Sequence, residues 1–222
     1  MSLALSNSTM AIMIWTMKHT YHVQDVTFYN TNIQTTVTKS SAVVDAWISD
    51  IVRVHQHRLH KLIIGLDIEW LPTFVPGTRN RVATLQLCIG RRCLIFQLLY
   101  CDGIPTSLVN FLGNSNFMFV GVGIEGDAMK LLEDYGLIVG RSMDLRILSM
   151  LKLQQEDYGR MGLKRLGIEI LGKLMEKPLH ISVSKWDAQF LTEEQIKYAC
   201  IDAFVSFAIA IELLGSEALF LV

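Results

Sequence analysis

The sequence predicts an α/β fold in which a mixed sheet is flanked by helices, and three observations carry that prediction. Segments rich in β-branched and apolar residues at 62–70, 82–89 and 93–99 follow one another closely enough to form three consecutive antiparallel strands. From about residue 105, strand-like and helix-like periodicities alternate, as in α/β proteins. The chain then runs into a long helix at about 193–214, where Thr192 and Gln195 stand at capping-box spacing and Ile196, Ala199, Cys200, Ala203, Phe207 and Ile211 form a broad apolar stripe.

In chain order, residues 21–38 alternate Val, Thr, Tyr and Phe around a polar break at 30–32, the pattern of a hairpin. Ser40 or Ser41 then caps a helix that carries Val43, Val44, Trp47, Ile48, Ile51 and Val54 at spacings of three and four. The histidines at 55, 57 and 60 fall on the solvated end of that helix, where no carboxylate or cysteine completes a metal shell. After the first strand of the trio, the prolines and glycine of residues 71–80 mark a loop, and Gly90, Arg91 and Arg92 form a tight turn between the second and third. A helix at 105–112, a strand at 117–122 and a helix at about 125–135 follow, and the alternation continues less clearly through 144–153 and 163–171.

Composition narrows the function classes. The chain has 222 residues, 51% hydrophobic and 18% charged, enough for a sizeable core and too apolar for disorder. A net charge of −1 argues against a protein that coats long stretches of duplex, but not against an enzyme that grips a few nucleotides. The four cysteines show no zinc-type spacing, and Cys88 and Cys200 lie in apolar runs where a free thiol acts as a small hydrophobe, so a reduced, intracellular setting is expected, cytoplasmic with the nucleus as the alternative. The apolar run at 10–17 is too short to span a membrane and lacks a basic start. Residues 1–20 are therefore expected to be a flexible extension and 21–222 one domain; the apolar stretch 218–222 predicts burial in a closed oligomer.

The candidate chemistry begins at Asp67 and Glu69. Two carboxylates two residues apart in a strand share a face, and in an apolar setting they oppose each other's ionisation unless a cation intervenes. Oxygen ligands suit Mg²⁺ or Mn²⁺. An edge strand with both acids in water is the alternative. Asp127 follows a glycine-rich turn after a buried strand, where functional groups of α/β sheets gather, and is otherwise an ordinary first-turn acid. Tyr198 and Asp202, four apart, share a helix face.

Together, Asp67-x-Glu69, Asp127 and Tyr198-x-x-x-Asp202 resemble the three motifs of the DEDDy group of 3′-5′ exonucleases, within the DnaQ-like, ribonuclease H-like superfamily. The stretches 67–70, 83–88, 121–127, 191–195 and 198–203 are similar to the exonuclease domain of Werner type, with methionine at Met129 where that domain carries an aromatic. The front segment, 21–26 through 46–48, looks like that of the small plant RISC-interacting clearing exoribonucleases. This resemblance implies a ring-shaped homohexamer that degrades single-stranded RNA, with an Argonaute partner; a DNA exonuclease of Werner type and a non-catalytic scaffold are the alternatives.

It further implies two divalent ions, roughly 3.5–4 Å apart, held by Asp67 as bridging ligand with Glu69, Asp127 and Asp202. Tyr198 would orient water, since a phenol is a poor base at neutral pH. Ile68 and Leu85 are expected against the terminal nucleotide, with the core as an equal alternative for Leu85, and Trp70 is expected in the core. Arg79, Arg81, Arg91, Arg92, Lys164 and Arg165 are either phosphate contacts or ordinary surface charge.

Overall fold

The computed structural model describes residues 21–73, 75 and 77–215. The expected extension at 1–20 and the apolar stretch at 218–222 lie outside the described residues. The described strands are β1 Tyr21–Phe28, β2 Thr31–Thr38, β3 Ile63–Glu69, β4 Thr84–Ile89, β5 Arg92–Phe96, β6 Met118–Gly121 and β7 Ser142–Asp144. They form one mixed sheet in the order β1-β2-β5-β4-β3-β6-β7.

As the sequence predicts, β3, β4 and β5 are antiparallel neighbours, with Asp67 opposite Gln86 and Cys88 opposite Cys93. The strands β6 and β7 then add parallel to β3 on its other side. This trio followed by parallel strands is the ribonuclease H-like arrangement. The hairpin of β1 and β2 extends the sheet because β2 pairs in parallel with β5. Its turn falls at Tyr29 and Asn30, one residue ahead of the expected break, with Tyr29 taking the positive φ of 51°.

The helices are α1 Ser41–Val54, α2 Thr106–Leu112, α3 Ile124–Tyr135, α4 Leu145–Leu153, α5 Leu163–Leu171, α6 Leu179–Ser182 and α7 Glu193–Leu214. They divide between the two sheet faces. Val44, Trp47, Ile48 and Ile51 of α1, with Leu108, Phe111, Ile124 and Leu131 of α2 and α3, pack on Ile64, Leu66, Ile68, Leu85 and Leu87. On the other face, α4, α5, α6 and α7 pack on Ile63, Cys88, Cys93, Ile95 and Val120. Strand alternation sends odd-numbered residues of β3 to one core and even-numbered ones to the other.

Two elements were not separable in the sequence. The stretch 144–153 carries no clear alternation, and there Asp144 both ends β7 and caps α4, its side chain accepting from the Arg146 N–H. The four-residue α6 is too short to leave a periodicity. By contrast α7 follows its sequence signals closely. Thr192 and Gln195 form the reciprocal capping box, and the helix is buried on most sides because the rest of its layer packs around it. The histidines of 55–60 lie at the end of α1 and beyond, with His57 and His60 exposed.

Candidate active site

The site is positioned by the way α7 seats on β3. Gly65, Asp67 and Glu69 project from the same face of the strand. A Cβ at position 65 would lie 2.0 Å from the Ala203 carbonyl oxygen and 2.9 Å from the Phe207 nitrogen, so glycine alone permits this contact. With Ala203 held against the strand, the preceding residue, Asp202, meets the two acids of β3. One carboxylate oxygen from each of Asp67, Glu69 and Asp202 lies within 4.8 Å of the others, Asp202 being fully buried and the other two partly so. Tyr198 stands one turn earlier on the same helix, packed at 5.9 Å between ring centroids against the buried Trp186.

Asp127 approaches from the other side of β3. The strand β6 ends at Gly121, where a Cβ would lie 2.8 Å from the Leu66 carbonyl oxygen, and Gly123 at φ +79° turns the chain into α3. The Gly123 N–H donates to Asp144 Oδ2 at 2.8 Å, which ties this turn to the end of β7. Asp127 sits in the first turn of α3 and acts electrostatically on Asp67 and Glu69, but it borders the three-acid cluster rather than joining it.

Every acid of the group is harder to ionise than in water. Burial, then Asp202 and Asp127, holds the Asp67 carboxyl well above the usual carboxylate range. Burial, then Asp67 and Asp202, pushes Glu69 up to about 10. Asp127 rises to about 7 through burial and the neighbouring Asp144 and Glu125. Burial lifts Asp202 to about 6 against the opposing effect of Lys177. Burial and Asp202 likewise raise the Tyr198 hydroxyl, so it keeps its proton and can donate.

Asp67 Oδ2 is buried without a hydrogen-bond partner, and so is Oε1 of its register neighbour Gln86. Gln86 Nε2 donates to Thr84 Oγ1 at 2.7 Å. Unsatisfied acceptors beside clustered carboxylates leave room for a positive species, and an all-oxygen donor set of this kind fits Mg²⁺ or Mn²⁺. Asp67, Glu69 and Asp202 have the ligand spacing for it, with Asp127 at the border.

Two expected substrate contacts need correction. Ile68 is 3% exposed and Leu85 0%; they are cross-strand partners on the even-numbered face and belong to the core beneath α1, α2 and α3. Neither offers surface to a nucleotide. Trp70 packs partly buried against that same core, with the Lys130 ammonium 4.9 Å from its ring centroid. Several of the basic candidates are engaged in holding the fold. Arg79 pairs with Glu133 at 2.6 Å and Asp134 at 2.5 Å, and Arg81 donates to the Asp134 carbonyl at 2.6 Å. Arg92 lies 3.6 Å from Asp50 and Arg165 2.5 Å from Glu169, while Arg91 and Lys164 are exposed.

Sequence reasoning missed Lys177, whose Nζ is ion-paired with Asp202 Oδ2 and lies 5.3 Å from the Tyr198 ring centroid. A lysine in an irregular loop carries no periodic signal. Gly65 was legible in principle, since an isolated glycine inside an apolar strand marks close backbone approach.

Comparison with known proteins bears on this geometry. Residues 36–215 match the family described as 3′-5′ exonuclease. The chain belongs to that family. Among curated relatives, human "Exonuclease 3'-5' domain-containing protein 2" is 36% identical over 158 residues, 69% of this chain and 25% of that protein. Mouse "Bifunctional 3'-5' exonuclease/ATP-dependent helicase WRN" is 36% identical over 149 residues, 66% of this chain and 10% of that protein. This exonuclease-family chain thus spans only a quarter and a tenth of these relatives. The Nibbler EXO domain of Aedes aegypti has a like fold, with a TM-score of 0.66 at 19% identity over 83% of this chain and 88% of that one.

Proposed function

We propose that this chain is a metal-dependent 3′-5′ exoribonuclease that removes nucleotides from single-stranded RNA. The observation that carries the reading is the convergence of Asp67, Glu69 and Asp202 within 4.8 Å, around an Asp67 oxygen with no partner. Divalent cations bound there would acidify a water and stabilise the oxygen that leaves as the phosphodiester breaks. The protein's own part is to hold Asp67, Glu69 and Asp202 as ligands, with Asp127 completing the set from α3. Tyr198, protonated by virtue of its burial, donates a hydrogen bond that orients the attacking water. Family membership supports hydrolysis from the 3′ end; the likeness of the front segment to plant clearing exoribonucleases supports RNA.

The same likeness supports a closed homo-oligomer, hexameric in our reading, acting in the cytoplasm with an Argonaute-type partner. Exposed apolar side chains on α4, Ile147 at 46% and Leu151 at 66%, are compatible with an assembly surface. The test is digestion of matched 5′-labelled single strands of RNA and DNA, with Mg²⁺, with Mn²⁺ and with chelator. Shortening of the RNA from its 3′ end only with metal is the expected result. Preferential shortening of DNA would replace the substrate assignment, and no shortening of either strand would remove the enzymatic reading. Light scattering that finds only monomer at micromolar concentration would remove the oligomer.

A further inference from the structure

Lys177 lies between Met175, which is fully buried, and Ile181, which is 6% exposed, so the irregular stretch that carries it is anchored on both sides. Its ammonium pairs with Asp202 and acts electrostatically on Asp67, placing one positive charge against the cluster of three acids. That contact satisfies an oxygen of Asp202 and leaves Asp67 Oδ2 without a partner. A cation ligated by Asp67, Glu69 and Asp202 would compete with the ammonium for the Asp202 oxygen, since two positive centres cannot share it closely without repulsion.

We propose that Lys177 is a displaceable counter-ion: it holds Asp202 while the acid cluster lacks metal, gives way when a divalent cation binds, and then presents its ammonium to a phosphate of the bound strand. The surroundings allow such a move. The Lys177 side chain is already 29% exposed. Its neighbours Glu176 and Pro178 line a cavity of about 290 Å³ that also borders Tyr198, His180 and Lys197. The cavity therefore lies beside the chain neighbours of Lys177 and next to the residue that orients the attacking water. Glu176 and Glu194 line the same cavity and give the released ammonium partners before a strand arrives. The phosphate contact rests on the exonuclease reading; displacement by metal does not, and the two are tested apart.

For displacement, Mn²⁺ is titrated into the full chain without nucleic acid and free Mn²⁺ is followed by electron paramagnetic resonance. Lys177→Met is expected to bind Mn²⁺ about five- to tenfold more tightly than the parent protein, within the range of a typical coupling between sites. A lysine that merely braces the site would leave affinity unchanged or weaken it when removed, and either result overturns the proposal. Should Lys177→Met fail to fold by circular dichroism, the parent protein answers the same question. Acylation of Lys177 by an N-hydroxysuccinimide ester, normalised to the exposed Lys185 and read by peptide mass spectrometry, is expected to rise severalfold with Mn²⁺. Constant or falling labelling overturns displacement. For the phosphate contact, Lys177→Met at saturating Mn²⁺ is expected to lose at least tenfold in kcat/KM on RNA, with Lys177→Arg recovering part of it; parent-like kcat/KM overturns that half alone. Inactivity of the parent protein on every strand would instead sink the exonuclease reading while the Mn²⁺ titration still stands.

Discussion

Gly65 faces the Ala203 carbonyl oxygen with no space for a methyl group, since a Cβ would come within 2.0 Å of it. The obstacle is backbone, which cannot rotate away, so Gly65→Ala must push α7 off β3. Overpacking of this kind costs about 1–3 kcal/mol. The displacement also moves Asp202 and Tyr198, and a misplacement of about 1 Å can cost about a hundredfold in rate. Denaturant unfolding, together with kcat measured well below the melting transition, is expected to show both losses. Normal kcat in a destabilised variant would mean that α7 does not set the site's geometry.

Asp67→Asn separates stability from function. Burial, then Asp202, raises the Asp67 carboxyl well above the usual carboxylate range, so the folded chain keeps its proton to higher pH than the unfolded chain does. Folding of the metal-free protein therefore takes up a proton there, a cost that asparagine does not carry. The metal-free variant is expected to melt a few degrees higher than the parent at pH 7, with the difference shrinking towards pH 4. Activity should fall by more than the ~10–100-fold typical of losing an outer-shell partner. Mn²⁺ should raise the melting temperature of the parent far more than that of Asp67→Asn, and thermal scans with and without Mn²⁺ check this.

The cluster as a whole gives the metal-free protein an unusual pH dependence. Asp202 at about 6, Asp127 at about 7 and Glu69 at about 10 are all raised, so each stabilises the folded state most when protonated. Their contributions are present below the ordinary carboxylate range near ~4 and are lost as pH rises through each folded value. Stability in chelator is thus expected to decline from about pH 4 to pH 7 and further towards pH 10. Asp144 works in the opposite sense: despite burial, hydrogen bonds from Arg146 and Gly123 hold it low, so its contribution is lost only on acidification. Saturating Mg²⁺ should remove the decline above neutrality, because cations bind the deprotonated acids. Urea midpoints across pH, with and without Mg²⁺, measure it.

How much of this was legible in the sequence follows from what kind of signal each feature leaves. Asp67 and Glu69 were readable because a period of two is fixed by strand geometry, and Tyr198 with Asp202 because four residues make one helical turn. Their convergence was not readable from spacing. It depends on Gly65 and Ala203 meeting across 138 positions of chain, which only the family resemblance could supply. Ile68 and Leu85 do not meet the expectation of a nucleotide contact because strand alternation turns both into the core opposite the acids. Lys177 and α6 escaped because irregular backbone has no period. The short β7 was hidden by Asp144, which ends a strand and caps a helix at once.

Tyr198→Phe tests positioning against proton removal. Burial and Asp202 raise the hydroxyl above its ordinary value, so it stays protonated throughout the working range. The variant is expected to lose about 10–100-fold in kcat, the scale of losing an orienting partner, while its Mn²⁺ affinity stays within a few-fold of the parent. The parent's pH–rate profile should show no limb that vanishes in the variant. A limb between pH 7 and 9 present only with tyrosine would mark it as the base.

Asp134 provides a contrast away from the acids. Its carboxylate, 6% exposed, takes the Arg79 guanidinium at 2.5 Å, the Val82 N–H at 2.8 Å and the Lys130 ammonium at 3.7 Å. Those contacts fasten the loop after β3 to the end of α3, just before the Ala83 N–H donates to the Glu69 carbonyl at 2.8 Å. Asp134→Ala leaves the Val82 N–H without its acceptor and takes one partner each from Arg79, which keeps Glu133, and Lys130, which keeps the Asn80 carbonyl, a loss on the order of 1–3 kcal/mol. Because the side chains of Asp67, Glu69, Asp202 and Tyr198 take none of their own contacts from it, kcat per folded molecule should stay within a few-fold of the parent. Unfolding midpoints paired with active-fraction-corrected rates decide the matter: a large fall in kcat at unchanged stability would show that the loop after β3 governs catalysis rather than anchoring the sheet.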